Sequence, residues 1–268
     1  MAASPLLAAL VALVAWWAST GLLLVMVRRG ERAEAPHWPV LGALPLLVLG
    51  VAGYVITLPL GGVGAAYGAF FSALAIWGWL ELAFLAGVIT GPVRAPARAG
   101  VPEWERFIRA WGTIAHHEMA LTFTLIALGL LAFASPDTAT TVGFWTFALL
   151  WTARISAKLN LYLGVRKVNT EFIPAALAHL PSHFREARLN ALFPTSVTLL
   201  TVAVAYWGGH AVAAETGAAA VGHALLAAMA ALALLEHWLM VVRLPDEKLW
   251  RWMLPEPHET RDTTGAQT

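Results

Sequence analysis

Apolar and polar positions fall along this chain in long blocks, not in short periods. Seven blocks are apolar enough and long enough to cross a bilayer as helices: about 5–27, 38–58, 66–90, 111–134, 140–163, 191–208 and 218–242. A spanning helix needs about 20 mostly apolar residues. The breaks carry turn chemistry. "PLGGVG" (59–64) and "SPDTATT" (135–141) are short connections, whereas "GPVRAPARAGVPEWER" (91–106) and "GVRKVNTEFIPAALAHLPSHFREARLN" (164–190) are longer. Arg28 and Arg29 follow the first apolar block instead of preceding it. That block is therefore expected to be a retained span and not a cleaved signal peptide.

Two flanking stretches are amphipathic. "PEWERFIRAW" sets Trp104, Phe107, Ile108 and Trp111 on one helical face, with Glu103, Arg106 and Arg109 away from it. It is expected either to lie on the inner leaflet as an interfacial helix or to extend the following span. "PDEKLWRWML", after Pro245, has the same character. The expected organisation is one transmembrane helical domain over residues 1–254. The polar tail "PEPHETRDTTGAQT" (255–268) is expected to be disordered.

Charge orients the bundle. All 17 Lys and Arg fall in the first, third and fifth connections, at the inner end of the fifth span, or in the C-terminal segment. By the positive-inside rule the N-terminus is expected outside, in the periplasm, and the C-terminus in the cytoplasm. A different number of spans would scatter the cations over both faces. Composition agrees with a membrane protein: 12% of residues are charged, against about 25% in soluble domains, and mean hydropathy is +0.68. The expected fold class is an all-α polytopic bundle of seven transmembrane helices, with one or two interfacial helices on the cytoplasmic face. The location is the bacterial cytoplasmic (inner) membrane. Lipid is a partner, and with a net charge of +1 and no basic patch interleaved with aromatics, nucleic acid is not. The absence of cysteine excludes disulfides, thiolate metal sites and cysteine nucleophiles. Many of the 13 Trp lie near the ends of apolar blocks (Trp16, Trp17, Trp38, Trp250, Trp252), as interfacial anchors do.

Ionisable residues inside spans are costly and are functional candidates by default. "WGTIAHHEMAL" puts His116, His117 and Glu118 inside the fourth span. Glu81 in the third, Arg154, Lys158 and Asn160 in the fifth, and Glu236 and His237 in the seventh all fall at the depth of the cytoplasmic half. His179 and His183, in the 164–190 connection, lie on the same side. One polar site near the cytoplasmic face is expected. Neighbours on a helix diverge by about 100°, so His116, His117 and Glu118 cannot all face it.

Four readings of that site stay open. In the first, Glu81, His117, Glu118, His179, His183, Glu236 and His237 hold iron or another divalent metal, a donor set suited to non-haem iron, manganese or zinc. No Glu-x-x-His of the ferritin type supports it. In the second, Arg154 and Lys158 neutralise the three carboxylates in a purely structural charge network. In the third, a histidine ligates a tetrapyrrole such as bacteriochlorophyll, with a small residue four positions earlier leaving room for the ring. Gly112 precedes His116 in this way, Ala175 precedes His179, and Ala233 precedes His237. His116, Arg154, Lys158 and Asn160 are the candidates for cofactor contact. The fourth reading is transport, disfavoured by the absence of an inverted repeat and of polar residues in the outer half. The 164–190 connection is long enough to be a lid, a docking surface or a basic segment on anionic lipid.

Five blocks carry a family resemblance: "FFSALAIWGWLELAFLAGVITGP" (70–92), "PEWERFIRAWGTIAHHEMAL" (102–121), "ARISAKLNLYLGV" (153–165), "LAHLPSHFREARLNALFPTSVT" (177–198) and "LLEHWLMVVRLPDEKLWRWML" (234–254). In these the chain resembles the PuhE family of purple phototrophic bacteria, encoded beside the reaction-centre H subunit. The resemblance implies a factor for assembling the reaction-centre and core light-harvesting complex, or for handling its pigment. Reaction-centre or light-harvesting subunits and bacteriochlorophyll are then the implied partners. It brings no catalytic residues with it. The alternative function is a metal-dependent membrane oxidoreductase, with one or two iron ions, acting on a bacteriochlorophyll-pathway or lipid-like substrate. Whether the chain is an enzyme is left open.

Overall fold

The computed structural model describes residues 4–134, 138–168, 170 and 173–242. The described residues form helices α1 (Pro5–Arg32), α2 (His37–Gly42), α3 (Leu44–Thr57), α4 (Gly62–Leu85), α5 (Glu103–Phe133), α6 (Val142–Leu163), α7 (Leu192–Ala213) and α8 (Gly217–Leu239). Two short 3₁₀ turns, Ala175–Leu177 and Leu180–His183, interrupt the connection between α6 and α7. No strand forms among the described residues, and an isolated bridge joins Val165 to Glu186.

Local chemistry sets the helix ends. The Ser4 hydroxyl accepts from the Leu7 N–H at 3.3 Å, and Pro5 stands in the first turn, where its missing N–H costs nothing. Thr216 caps α8 by accepting from the Ala219 N–H at 3.2 Å. α6 ends at Gly164, whose φ of +133° an L side chain would resist. Asn190 then joins two helices. Its Nδ2 donates to the Gly164 carbonyl at 2.7 Å, while its Oδ1 accepts from the Leu192 and Phe193 N–H groups at 2.9 and 3.2 Å. One side chain thus satisfies carbonyls at the end of α6 and donors at the start of α7.

Hydrogen bonds between connections order the two ends of the bundle. The Ala139 N–H donates to the Leu58 carbonyl at 2.7 Å, placing the end of α3 beside the start of α6. At the other end Arg106 of α5 donates to the Tyr162 carbonyl of α6 at 3.3 Å. The Lys167 N–H reaches the Met240 carbonyl after α8, and the Ala175 N–H reaches Glu31 of α1 at 2.7 Å. The ends of α1, α6 and α8, the start of α5 and the α6–α7 connection therefore meet. Every described Lys and Arg lies at this end or in the half of the bundle next to it.

Six helices are long and apolar enough to cross a membrane, counting α2 and α3 together, where seven are expected. The difference is α6. Arg154, Lys158 and Asn160 dilute its hydropathy, although it runs between the same two ends as its neighbours. The second apolar block is long and apolar enough to cross as one span, with a break at Ala43 where the missing N–H of Pro45 interrupts the helical ladder. Of the two alternatives for the "PEWERFIRAW" stretch, the structure shows the extension: it is the first part of α5, one continuous helix from Glu103, and not a separate interfacial helix. The "PDEKLWRWML" stretch and the 255–268 tail lie outside the described residues.

α4 is the buried centre, packed against α3, α6 and α8, and its neighbours approach it on small residues. In lipid, where burial of apolar surface does not distinguish one helix contact from another, such close approach supplies the packing energy. A Cβ on Gly143 of α6 would stand 2.8 Å from the Ala69 carbonyl oxygen of α4. The turn after α4 is tighter still. Its Thr90 carbonyl accepts from the His117 N–H at 2.9 Å, and its Val93 N–H donates to the Gly112 carbonyl at 3.0 Å. This crossing locks the end of α4 against α5 and so sets Glu81 relative to Glu118. A Cβ on Gly91 would lie 2.1 Å from the Gly112 oxygen. Gly91→Ala is expected to destabilise the protein by ~3 kcal/mol or to prevent folding, as overpacking against backbone does. Gly64→Ala, with nothing within 4 Å of the added atom, is expected to leave stability within about 1 kcal/mol. Thermal unfolding in lipid nanodiscs distinguishes the two.

Candidate functional site

Four residues apart on α6, Arg154 and Lys158 project from one helical face. Arg154 reaches Glu81 of α4, with NH2 and Oε2 2.9 Å apart. Lys158 pairs with Glu118 of α5 and sits 5.0 Å from the centroid of the Phe84 ring of α4. His117 stacks on the same ring at 4.3 Å between centroids, its Nε2 3.5 Å from Glu81 Oε1. Two carboxylates and two cations from three helices thus form one cluster. Of the charge network read from the sequence, two of the three carboxylates are paired with the cations; Glu236 accepts from Trp16 instead.

The cluster is not sealed by apolar side chains. It stands in the wall of a cavity of about 760 Å³. α1 contributes Trp16, Ser19, Thr20 and Leu23, α4 contributes Trp77 and Phe84, and α5 contributes Phe107, Trp111 and Ile114. α8 adds Met229, Ala233 and Glu236, and the α6–α7 connection closes the charged end with Leu177, His183 and Phe184. Phe107 and Trp111 are exposed, so the cavity opens on the α5 side through aromatic side chains. A largely apolar cavity of this size with a few convergent polar groups is the usual form of a small-molecule site.

The structure divides the sequence candidates. Glu81, Glu118, Arg154, Lys158, Glu236 and His183 line the one cavity. His117 backs Glu81 without reaching the void. His116 points outward and is exposed, which settles which of the adjacent residues of α5 face inward. His237 is buried outside the cavity lining, against Ser156 of α6. Its Nδ1 donates to the Ala233 carbonyl at 2.8 Å and its Nε2 meets Ser156 Oγ at 2.8 Å. Asn160 belongs to that second network, donating to Ser196 Oγ at 3.0 Å and to the Ser156 carbonyl at 2.9 Å. His179 is buried beside His183 and outside the cavity. Its own burial, with His183 and Arg94 nearby, holds its pKa below the ordinary imidazole value.

The donors proposed as metal ligands do not converge. Among the described residues no three His, Asp or Glu side chains form a group that could hold an ion. Glu81 and Glu118 face cations instead, and His237 spends both nitrogens on protein groups. The space expected beside His116 is taken: a Cβ on Gly112 would meet the Val93 side chain at 2.7 Å. Ala175 lies in a 3₁₀ turn, and the Ala233 carbonyl accepts from His237. Sequence reasoning missed the α1 wall. Trp16, read as an interfacial anchor, donates from Nε1 to Glu236 Oε1 at 3.2 Å. The available signal was "WWAST" (16–20), a polar interruption within an apolar helix.

A family model described as a protein of unknown function, DUF3623, matches residues 2–261. An uncharacterised 30.4 kDa protein in the puhA 5′ region of Rhodobacter capsulatus is 46% identical over 264 residues, covering 98% of this chain and 95% of that protein. No solved structure matches.

Two predictions follow from the geometry. Glu118→Ala leaves the Lys158 ammonium buried without its partner and is expected to cost about 3–5 kcal/mol, whereas Glu118→Leu with Lys158→Met is expected to recover most of that. A double-mutant cycle read by thermal unfolding measures it. The second concerns acid. His179 is neutral in the fold, and the unfolded chain takes up its proton at the ordinary imidazole pKa. Its contribution is therefore complete above that pKa and is lost as pH falls through the lowered folded value. His179→Gln is expected to flatten that part of the stability–pH curve as pH falls below the ordinary imidazole value of about 6.5.

Proposed function

The chain belongs to the DUF3623 family, and from that premise we propose that it is a membrane-embedded binding protein. On this reading it holds a lipophilic ligand, a pigment or pigment precursor, while the reaction-centre and core light-harvesting complex is assembled. The single observation that carries the reading is the cavity. It is about 760 Å³, open through aromatic side chains, and floored by a charge cluster that apolar packing would have replaced at lower cost. The place of the Rhodobacter capsulatus relative in the puhA 5′ region supports the assembly role. So does the resemblance to the PuhE family. The ligand is held by the walls and by Arg154 and Lys158, with no histidine acting as an axial ligand. The oxidoreductase alternative is not carried further, since its ligands do not come together.

The reading also takes α6 as a seventh crossing. Its two cations are neutralised by neighbours on α4 and α5, which removes most of the penalty that keeps such residues out of lipid. The cation-rich end then faces the cytoplasm and the N-terminus the periplasm of the inner membrane.

Two experiments test this. The tagged protein, purified from phototrophic membranes, is expected to carry a bacteriochlorophyll-type absorbance that Ala157→Phe, which narrows the cavity beside Arg154 and Lys158, reduces by about tenfold or more. Pigment-free wild type from pigment-replete cells would remove the reading. Because the natural chain has no cysteine, single cysteines report topology without background. Thr216→Cys is expected to react with an impermeant maleimide in intact cells and Ala187→Cys only after lysis. The reverse pattern would invert the orientation.

A further inference from the structure

Charges of both signs line the void, and the cations are the more exposed. Arg154 keeps 37% of its side chain exposed and Lys158 18%, while Glu81 and Glu118 keep 8% and 2%. The cations reach the cavity from α6, and their carboxylates line it nearly covered. Each cation gives its carboxylate part of its donor set and retains the rest, since a guanidinium carries five N–H groups and an ammonium three. The wall therefore offers hydrogen-bond donors whose charge is already balanced. Glu236, held by Trp16, adds a further carboxylate to the same cavity.

This arrangement discriminates between head groups. An anion entering the cavity would lose its hydration and find both cations paired, with Glu236 opposing it. A quaternary cation would meet a guanidinium and an ammonium more exposed than the carboxylates that could neutralise it. A neutral carbonyl oxygen accepts from the spare N–H groups of Arg154 and Lys158 without either penalty. Resting on the reading of this cavity as a ligand site, we propose that its ligand is an uncharged lipophile bearing a carbonyl, an ester or a quinone, whose oxygen is received by Arg154 and Lys158. The apolar body lies along Leu74, Trp77, Leu150 and Met229.

Trp16, Trp77 and Trp111 line the cavity and report its occupancy. The full chain in zwitterionic nanodiscs is titrated with methyl hexadecanoate, a decyl-substituted benzoquinone, hexadecanoate and hexadecyltrimethylammonium. Tryptophan emission is followed against Ala157→Phe as the narrowed-cavity reference. The ester or the quinone is expected to bind ~tenfold tighter than either ion, and the tighter of the two identifies the source of the carbonyl. Equal or tighter binding of an ion overturns the carbonyl proposal and leaves the cavity as a binding site. If no probe distinguishes wild type from Ala157→Phe, both the proposal and the binding-protein reading fall. Glu118→Gln removes the counter-charge of Lys158 and is expected to swing the hexadecanoate-to-ester preference by ~tenfold toward the carboxylate. An unchanged preference overturns the proposal. Should Glu118→Gln not fold, Glu118→Leu with Lys158→Met removes the Lys158 donors. Weaker ester binding with no gain for hexadecanoate is then expected, and undiminished ester binding overturns the proposal.

Discussion

A cation in a low-dielectric interior must find a counter-charge or leave, and α6 carries two of them one turn apart. Arg154 and Lys158 settle this by reaching different helices, Glu81 of α4 and Glu118 of α5. Because the two cations share a face, the carboxylates must converge on it. That requirement fixes the relative rotation of three helices at one depth. Phe84 fills the space between them, with Lys158 over its face and His117 stacked against it.

The same constraint explains the void beside the cluster. Long charged side chains that meet across a helix interface hold backbones apart where small residues would close the gap. Below the cluster, Gly143 of α6 allows close approach to α4. At its level, the bundle widens into the cavity. The turn after α4 then has to return tightly, and Gly91 against Gly112 provides that contact. Asn190 fixes the far side, tying α6 to α7 so that the connection over the charged end is anchored at both flanks.

Much of this was legible in the chain. The spans and most of their ends are readable because membrane crossing demands about 20 apolar residues, a coarse and robust pattern. The depth of Glu81, Glu118, Arg154 and Lys158 followed from counting residues along each span. Their partnership did not, because helix rotation is decided by packing that hydropathy does not record. "HHE" illustrates the difference. The 100° step shows that these residues diverge, and only the docking of Thr90 and Val93 onto α5 shows that His116 is the one turned away. His237 looked like a site residue by depth alone, yet it faces Ser156 on another helix interface. The cavity has no sequence signature, since a void depends on distances between elements. α6 failed a hydropathy criterion for the reason that makes it central: it carries the charges.

If paired cations on α6 hold open a cavity for a lipophile, an experimental density map of the full chain in native-lipid nanodiscs, at a resolution that shows side chains, will reveal it. Non-protein density is expected between α1, α4, α5 and α6, in contact with Arg154 and Lys158. A map in which α1 and α5 close over the cluster, with Arg154 and Lys158 extended to the interface and no space between the helices, would contradict it.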